Sequence, residues 1–207
     1  MVLMCSHSGR VSPRLFLLSA VLAALLLFVF FTIHQSEDAI NARNTSFQNG
    51  DLVFVRGRTW RSCIVRLFDV TDDFSHVGIV RIADGAPKVI HASPEADVVQ
   101  LESMEDFLSP ANIDHAGVYR LQNGQCIAEA ASLEALGYFE RGVSFDHRFN
   151  ILLNDMLYCT ELVWLAYKRA GIDLGEGESD FLYDAAIFGE VLLPGRLSKS
   201  RRLIKAN

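Results

Sequence analysis

The sequence is poor in cysteine, and no two cysteines are spaced as in a metal or redox motif. The four cysteines stand at positions 5, 63, 126 and 159, without a CxxC pair or zinc-finger spacing. This excludes a disulfide-rich scaffold and a zinc ribbon. Cys63 and Cys126 are either a disulfide in an exported protein or two free thiols, because the sequence does not give their separation.

Positive charge is also scarce, which limits the kind of partner. The 207 residues include 19 Lys and Arg against 25 Asp and Glu, a formal net charge of -6. The first 35 residues hold two of the arginines and no carboxylate, so the remainder has 17 basic residues against 25 acidic ones. A nucleic-acid-binding protein would present a basic face. We therefore expect no nucleic-acid partner.

One long apolar stretch stands near the N-terminus. From Leu15 to Ile33 there are 19 residues without a charge, enough as a helix to cross roughly 30 Å of hydrocarbon. Arg10 and Arg14 precede this stretch and Glu37 and Asp38 follow it, so the positive-inside rule predicts a cytoplasmic N-terminus. No convincing small-x-small cleavage site follows, which favours an uncleaved signal anchor over a cleaved signal peptide.

This reading predicts a single-pass membrane protein whose main domain lies on the extracytoplasmic, periplasmic side. The expected organisation is a cytoplasmic N-terminus at 1–14, a transmembrane signal anchor at 15–34, a polar linker at 35–48 and one domain at 49–207.

Within the domain, strands precede the long helices. Alternating apolar and polar residues predict strands at 51–56, 76–82, 88–93, near 97–102 and at 115–121. Helical spacing predicts helices over 126–140 and 158–171, and a short helix between the first two strands. This order favours an α+β fold, a small antiparallel sheet or barrel packed against helices. The basic tail at 198–205 is typical of a solvated end or, less often, of a contact to anionic lipid.

Cys159 heads the second long helix, in the stretch LYCTELVWLAY. The free N–H groups and the macrodipole at a helix N-terminus favour the thiolate. A thiolate nucleophile needs a base, and His76 and His91 are the histidines embedded in neighbouring β-branched strands. If the turn at ADGAP joins these strands, the two imidazoles lie side by side. A buried thiol and two core histidines are the structural alternative.

The ordered segments NGDLVFVRG, SHVGIV, VIHAS, FDHRF and YCTELVWLAY resemble the circularly permuted papain-like cysteine hydrolases of the NlpC superfamily, in particular the YiiX-like group. The resemblance covers roughly residues 49 to 200 and implies a permuted papain-like fold. It makes Cys159 the nucleophile and His76 the general base and later acid. His91 falls on the third polar position, with Glu95 and Asp97 as nearby substitutes.

The same resemblance places Asp51 and Tyr158 on motif positions, which suggests contacts to the substrate or its oxyanion. Asp146, in FDHRF, either shapes the substrate groove or caps a turn. Glu161 is expected to be structural.

The resemblance implies a membrane-anchored hydrolase that cleaves an amide, such as a peptidoglycan peptide, or an ester through a thioester, with no metal or other cofactor. The expected partner is an amide- or ester-containing substrate of the cell envelope or a lipid. The alternatives are a lipid acyl hydrolase or acyltransferase of the lecithin:retinol acyltransferase type, a silent binding module, and a zinc site made by Cys159, His76 and His91.

Overall fold

The computed structural model describes residues 21–26, 42, 45–58, 74–151, 155–177, 180–181 and 190–206. The chain divides into two compact units, Met1–Glu37 and Asp38–Asn207. Of the predicted membrane anchor, only residues 21–26 are described, and they are helical. None of the helices within the described ranges is both long and apolar enough to span a bilayer. The helix expected between the first two strands falls at 59–73, outside the described residues.

An eight-stranded sheet forms the centre of the second unit, and its strand order is β10-β5-β1-β2-β3-β4-β6-β7. Neighbouring strands are antiparallel, except that β6 and β7 run parallel. The strands are β1 (Leu52–Gly57), β2 (His76–Ala83), β3 (Ala86–Ser93), β4 (Val98–Ser103), β5 (Ile113–Leu121), β6 (Ser144–Phe145), β7 (Met156–Leu157), β8 (Asp180–Phe181), β9 (Glu190–Val191) and β10 (Leu203–Lys205). β8 and β9 form a separate pair.

The predicted turn between β2 and β3 is present. Asp84 and Gly85 have φ values of 55° and 76°, the combination that a two-residue type I′ turn requires. The turn fixes the register of the hairpin, in which Ile79 lies opposite Ile90. The hairpin thus brings the strand that begins at His76 beside the strand that contains His91.

Two helices cover one face of the sheet, as the sequence predicts. They are α2 (Gln125–Glu140) and α3 (Cys159–Arg169). Leu162, Val163 and Ala166 of α3 are fully buried against the sheet residues that form the larger core cluster. The predicted α+β arrangement of a sheet packed against helices is therefore confirmed for the described part of the chain, although the sheet is mixed and not purely antiparallel as expected.

A smaller core lies on the opposite face of the sheet. The short helix α1 (Met104–Phe107) follows β4 directly and buries both of its end residues there. Ser103 caps α1 by accepting a hydrogen bond from the N–H of Asp106 at 3.1 Å. Phe107 therefore packs beneath the hairpin formed by β2 and β3, where it contacts both histidines.

The basic tail predicted at 198–205 is largely exposed, as expected of a solvated end, but part of it has regular secondary structure. The helix α4 (Pro194–Ser198) ends at Ser198, and Leu203–Lys205 form β10 on the edge of the sheet. Leu203 pairs with Leu121 of β5. The backbone hydrogen bonds of an edge strand hold these residues despite their charges, and an edge position tolerates Lys and Arg.

Gly50 joins the sheet to the helices at the start of β1. Its N–H donates to the carbonyl of Val80 at 2.9 Å, and its own carbonyl accepts from the Tyr167 hydroxyl of α3. The residue has a φ of 85°, and a Cβ added there would lie 2.2 Å from the carbonyl oxygen of Ala128. Only glycine satisfies both the backbone conformation and this close approach to α2.

We expect Gly50→Ala to destabilise the protein more than Gly85→Ala does. Gly85 also has a positive φ, but a Cβ there meets no atom within 4 Å, so its substitution costs about 1–2 kcal/mol for the backbone alone. Overlap with α2 should add about 1–3 kcal/mol at Gly50. Chemical denaturation followed by circular dichroism measures both variants, and equal losses would contradict the steric explanation.

Candidate active site

Cys159 is the first residue of α3, with Tyr158 at the N-cap. Its sulfur is buried and receives hydrogen bonds from the backbone N–H of Val77 and from the hydroxyl and N–H of Thr160. Burial raises the pKa of the Cys159 thiol, and these hydrogen bonds oppose the rise without reversing it. The Cys159 thiol is therefore protonated near neutral pH, and its thiolate, once formed, has donors already in place.

His76 is the first residue of β2 and lies beside His91. Its Nε2 is 2.9 Å from Nδ1 of His91, and the two rings are nearly perpendicular, at 88°. Burial, followed by the repulsion that two protonated rings would exert on each other, lowers the pKa of His76 to about 3. The structure thus brings together the two histidines that the hairpin predicts, with His76 as a neutral imidazole near pH 7.

Glu102 is a site residue that the sequence analysis missed. Its Oε2 lies 3.0 Å from Nε2 of His91, so the three side chains form a chain from His76 to the carboxylate. In the hairpin of β3 and β4, His91 pairs with Gln100 and Glu102 pairs with Val89. Glu102 is therefore diagonal to His91 on the same face, which the sequence could have shown only with the hairpin register known.

The proposed nucleophile and base reach the site from opposite faces of β2. Val77 belongs to the core beneath α3, where Cys159 also lies. His76 alternates to the other face, where it pairs with Val55 across the sheet and packs on Phe107. Among the described residues, no hydrogen bond joins the sulfur to an imidazole, although the sulfur contacts the residue next to His76. Any approach of Cys159 to His76 must therefore take place around the N-terminal end of β2.

Asp51 is a buried side chain whose carboxylate joins two distant parts of the chain. Its carboxylate accepts two hydrogen bonds from Arg120, both at 2.7 Å, and one from the N–H of Gln48 at 2.8 Å. The side chain is 1% exposed, so these hydrogen bonds satisfy a fully buried carboxylate. This paired geometry favours a structural role over the predicted contact with substrate.

Tyr158 and Asp146 are also engaged in the fold. The hydroxyl of Tyr158 accepts a hydrogen bond from the N–H of Leu192 at 2.8 Å, in a fully buried position. The carboxylate of Asp146 accepts from the N–H groups of Arg148 and Asn150, both at 2.7 Å. The turn-capping alternative for Asp146 accounts for these contacts. The oxyanion and groove roles given to these two residues stay predictions.

The alternative carboxylates lie away from His76. Asp97 accepts from His147 at 2.7 Å, and Glu95 is exposed in the turn that precedes β4.

Glu161 is a buried carboxyl group in the first turn of α3. It is fully buried, and neither of its oxygens has a hydrogen-bond partner among the described residues. Burial, together with the negative charge of Asp146, raises the pKa of Glu161 to about 8. The group is therefore mainly protonated at neutral pH, which spares the interior a second charge next to Asp146.

We expect Glu161→Gln to make folding stability less dependent on pH. A carboxyl group with a raised folded pKa contributes stability that is fully present below its unfolded pKa and is lost as pH rises through about 8. The glutamine amide is neutral at every pH and so avoids this loss. From pH 5 to pH 9, the free energy of unfolding of the variant relative to that of wild type should therefore rise by on the order of 2 kcal/mol. Urea unfolding across this range measures the effect.

The matched control is Glu134→Gln, because Glu134 lies on α2 with its side chain 43% exposed. Its pH profile should follow that of the wild type. A Glu161→Gln profile parallel to the wild-type profile would show that the buried carboxyl group ionises normally.

Comparison with known families identifies the class of the protein. The family model that matches residues 46–185 is described as a permuted papain-like amidase enzyme, YaeF/YiiX, C92 family. The chain belongs to this family of permuted papain-like amidases, so the expected class of enzyme, a cysteine hydrolase of the amidase type, is confirmed. A search of curated proteins found no match.

A solved structure supports the fold independently. It is described as the metalloprotein YiiX from Escherichia coli O157:H7, and it is similar to this chain with a TM-score of 0.65. The two proteins are 22% identical, and the similarity covers 77% of this chain and 96% of the other.

Proposed function

We propose that this protein hydrolyses an amide or ester bond through a thioester on Cys159, with His76 as the base. The observation that carries the proposal is the hydrogen bond from the Val77 amide to the Cys159 sulfur. Val77 follows His76 directly in the chain, and the imidazole of His76 is hydrogen-bonded to His91. The family contributes the class of reaction. The substrate and the catalytic roles of the individual residues belong to the proposal.

The first step is coupled proton transfer and attack. Since Nε2 of His76 faces His91, the nitrogen that accepts the thiol proton is Nδ1. The imidazole and the sulfur must therefore approach each other when substrate binds, around the N-terminal end of β2. The sulfur forms a bond to the carbonyl carbon as the proton passes to His76, so neither group is charged before the reaction begins.

Backbone amides stabilise the charge that develops next. The N–H of Cys159 lies in the first turn of α3, where no intrahelical carbonyl accepts it, and both this N–H and that of Val77 face the sulfur. These groups donate to the carbonyl oxygen as it becomes an oxyanion. His76 then protonates the leaving amine or alcohol, and water, activated by the same imidazole, hydrolyses the thioester to the acid and the free thiol.

The alternative zinc site does not fit the geometry. The neighbour YiiX is described as a metalloprotein, but the described part of this chain has no group of three or more His, Cys, Asp and Glu side chains placed to hold a metal. Both ring nitrogens of His91 face other side chains.

The location of the enzyme is part of the proposal. The uncharged stretch at 15–34 would anchor the protein, and the charges that flank it would place the domain on the periplasmic side. A domain held there meets peptidoglycan peptides and membrane lipids, so the substrate is an amide or an ester of either. The acyltransferase alternative differs only in the acceptor, which would be an alcohol or amine in place of water.

The first test is acylation of the full-length protein by an activated ester. We expect an acyl adduct on Cys159, found by peptide mass spectrometry and absent in Cys159→Ser. His76→Ala should slow the reaction by about 10²–10⁴-fold, the usual contribution of a general base. Cys126→Ser is the matched control, because Cys126 is exposed and outside the site. Adducts of Cys126 and Cys159 that form equally fast, or that do not need His76, would refute the mechanism.

The acylation rate should keep its neutral-pH value down to about pH 4. An ordinary histidine near pKa 6.5 loses its base form below that pH, whereas His76 with a pKa of about 3 remains a free base. Stopped-flow acylation between pH 4 and pH 8 measures the profile. A fall by half near pH 6.5 would show that His76 titrates normally or that another group is the base.

Incubation of the protein with peptidoglycan fragments and with phospholipids, followed by mass spectrometry for an acyl group on Cys159, distinguishes the two substrate classes.

A further inference from the structure

Glu102 ends a hydrogen-bonded chain that begins at the proposed base. The chain runs from Nε2 of His76 to Nδ1 of His91 at 2.9 Å, and from Nε2 of His91 to Oε2 of Glu102 at 3.0 Å. The side chain of His91 is 7% exposed and that of Glu102 is 34% exposed. Phe107 packs against both imidazole rings, with centroids 5.8 Å and 5.0 Å away. Both rings are thus held in place between the hairpin and α1.

We propose that Glu102 is a positioning residue that sets the tautomer of both imidazoles, so that His76 presents an unprotonated Nδ1 to Cys159. The catalytic consequence rests on the proposed function, whereas the tautomer assignment does not depend on it. Glu102 itself contacts neither the sulfur nor the substrate.

The tautomers follow from counting donors and acceptors along the chain. A carboxylate only accepts hydrogen bonds, so Nε2 of His91 must carry a proton and donate it to Glu102. In its neutral form, His91 then has a lone pair on Nδ1, which accepts from Nε2–H of His76. His76 is neutral and carries its proton on Nε2, which leaves the lone pair on Nδ1. One carboxylate thereby fixes the tautomers of both imidazole rings.

Glu102 also supplies the charge that His91 lacks. When the thiol proton moves to Nδ1 of His76, the S–H bond breaks and an imidazolium forms beside a neutral His91. An uncharged ring orients an imidazolium but provides no opposite charge. The carboxylate of Glu102, on the far nitrogen of His91, offsets part of this charge through the polarised hydrogen bonds between them.

The experiment reads the tautomers directly. Two-bond proton–nitrogen spectra of the full-length protein, labelled with ¹⁵N-histidine and recorded at pH 7, distinguish Nδ1–H from Nε2–H rings. His76→Asn and His91→Asn each remove one set of signals and assign them. We expect both rings to carry the proton on Nε2 in the wild type, and Glu102→Leu to give a mixture of tautomers. In Glu102→Leu, the rate at which the activated ester acylates Cys159 should fall by about 10- to 100-fold, the usual loss when the hydrogen-bond partner of a functional histidine is removed.

Two further variants make the result specific. Glu105→Leu is the matched control, because Glu105 is exposed on α1 and has the same charge; neither the spectra nor the acylation rate should change. Glu102→Gln keeps an acceptor oxygen without the charge, so it should retain the Nε2–H tautomers and lose about tenfold in rate. This second variant decides the question if Glu102→Leu does not fold.

The outcomes separate this proposal from the proposed function. If both rings keep Nε2–H in Glu102→Leu, or if either carries Nδ1–H in the wild type, Glu102 does not set the tautomers. If the tautomers change and wild-type rates of acylation persist, the positioning role is refuted while the Cys159 mechanism stands. If the wild type forms no adduct, the proposed function fails, and the spectra alone still decide whether Glu102 fixes the rings.

Discussion

The packing of α3 along β2 is the constraint on which the site depends. At one end of the helix, the sulfur of Cys159 contacts the N–H of Val77; at the other, the Tyr167 hydroxyl donates to the carbonyl of Gly50. Gly50 is in turn hydrogen-bonded to Val80. The helix therefore runs beside β2 in the same direction, fixed near both ends. A shift of α3 by one turn would move the sulfur by about 5 Å and separate it from the N–H of Val77.

Burial decides the charge state of three titratable groups around this junction. The thiol of Cys159 has a raised pKa, the imidazole of His76 a lowered one and the carboxyl of Glu161 a raised one, with burial as the largest cause in each case. A preformed thiolate–imidazolium pair would place two charges where desolvation is costly. The neutral pair avoids this cost before the substrate arrives. Charge then develops only during attack, when the amide groups at the start of α3 and β2 can stabilise it.

The sequence predicted the elements better than the contacts between distant ones. Strict alternation and the Asp-Gly turn gave the hairpin that pairs His76 with His91, because both signals are local. The carboxylate behind His91 was sought at Glu95 and Asp97, which are close in sequence. Glu102 lies diagonally across the next hairpin instead, and the register of that hairpin is set by the whole sheet.

The sequence also does not reveal the partner of Asp51, because that partner is distant along the chain. Its place in a motif suggested a contact with substrate, but its partner is Arg120, 69 residues away on β5. A charged residue at the start of a strand looks alike in sequence whether it binds a ligand or a distant side chain. Strand β10 was missed because its charged residues imitate a tail, although backbone pairing on a sheet edge does not depend on apolar side chains.

The two faces of β2 explain why the site lies at a strand end. Side chains alternate along the strand, so a residue in its middle is confined to one face: Ile79 lies beneath α3, whereas Val80 belongs to the smaller core. His76 is the first residue of β2, and Cys159 is the first residue of α3. At the beginning of both elements the sheet no longer separates the two faces. A carbonyl group that enters there can meet the sulfur from the helix side and the imidazole from the other. The first amides of α3 lie at the same position, so in the proposed mechanism the geometry that separates the two residues in the sheet would also provide the place for a substrate between them.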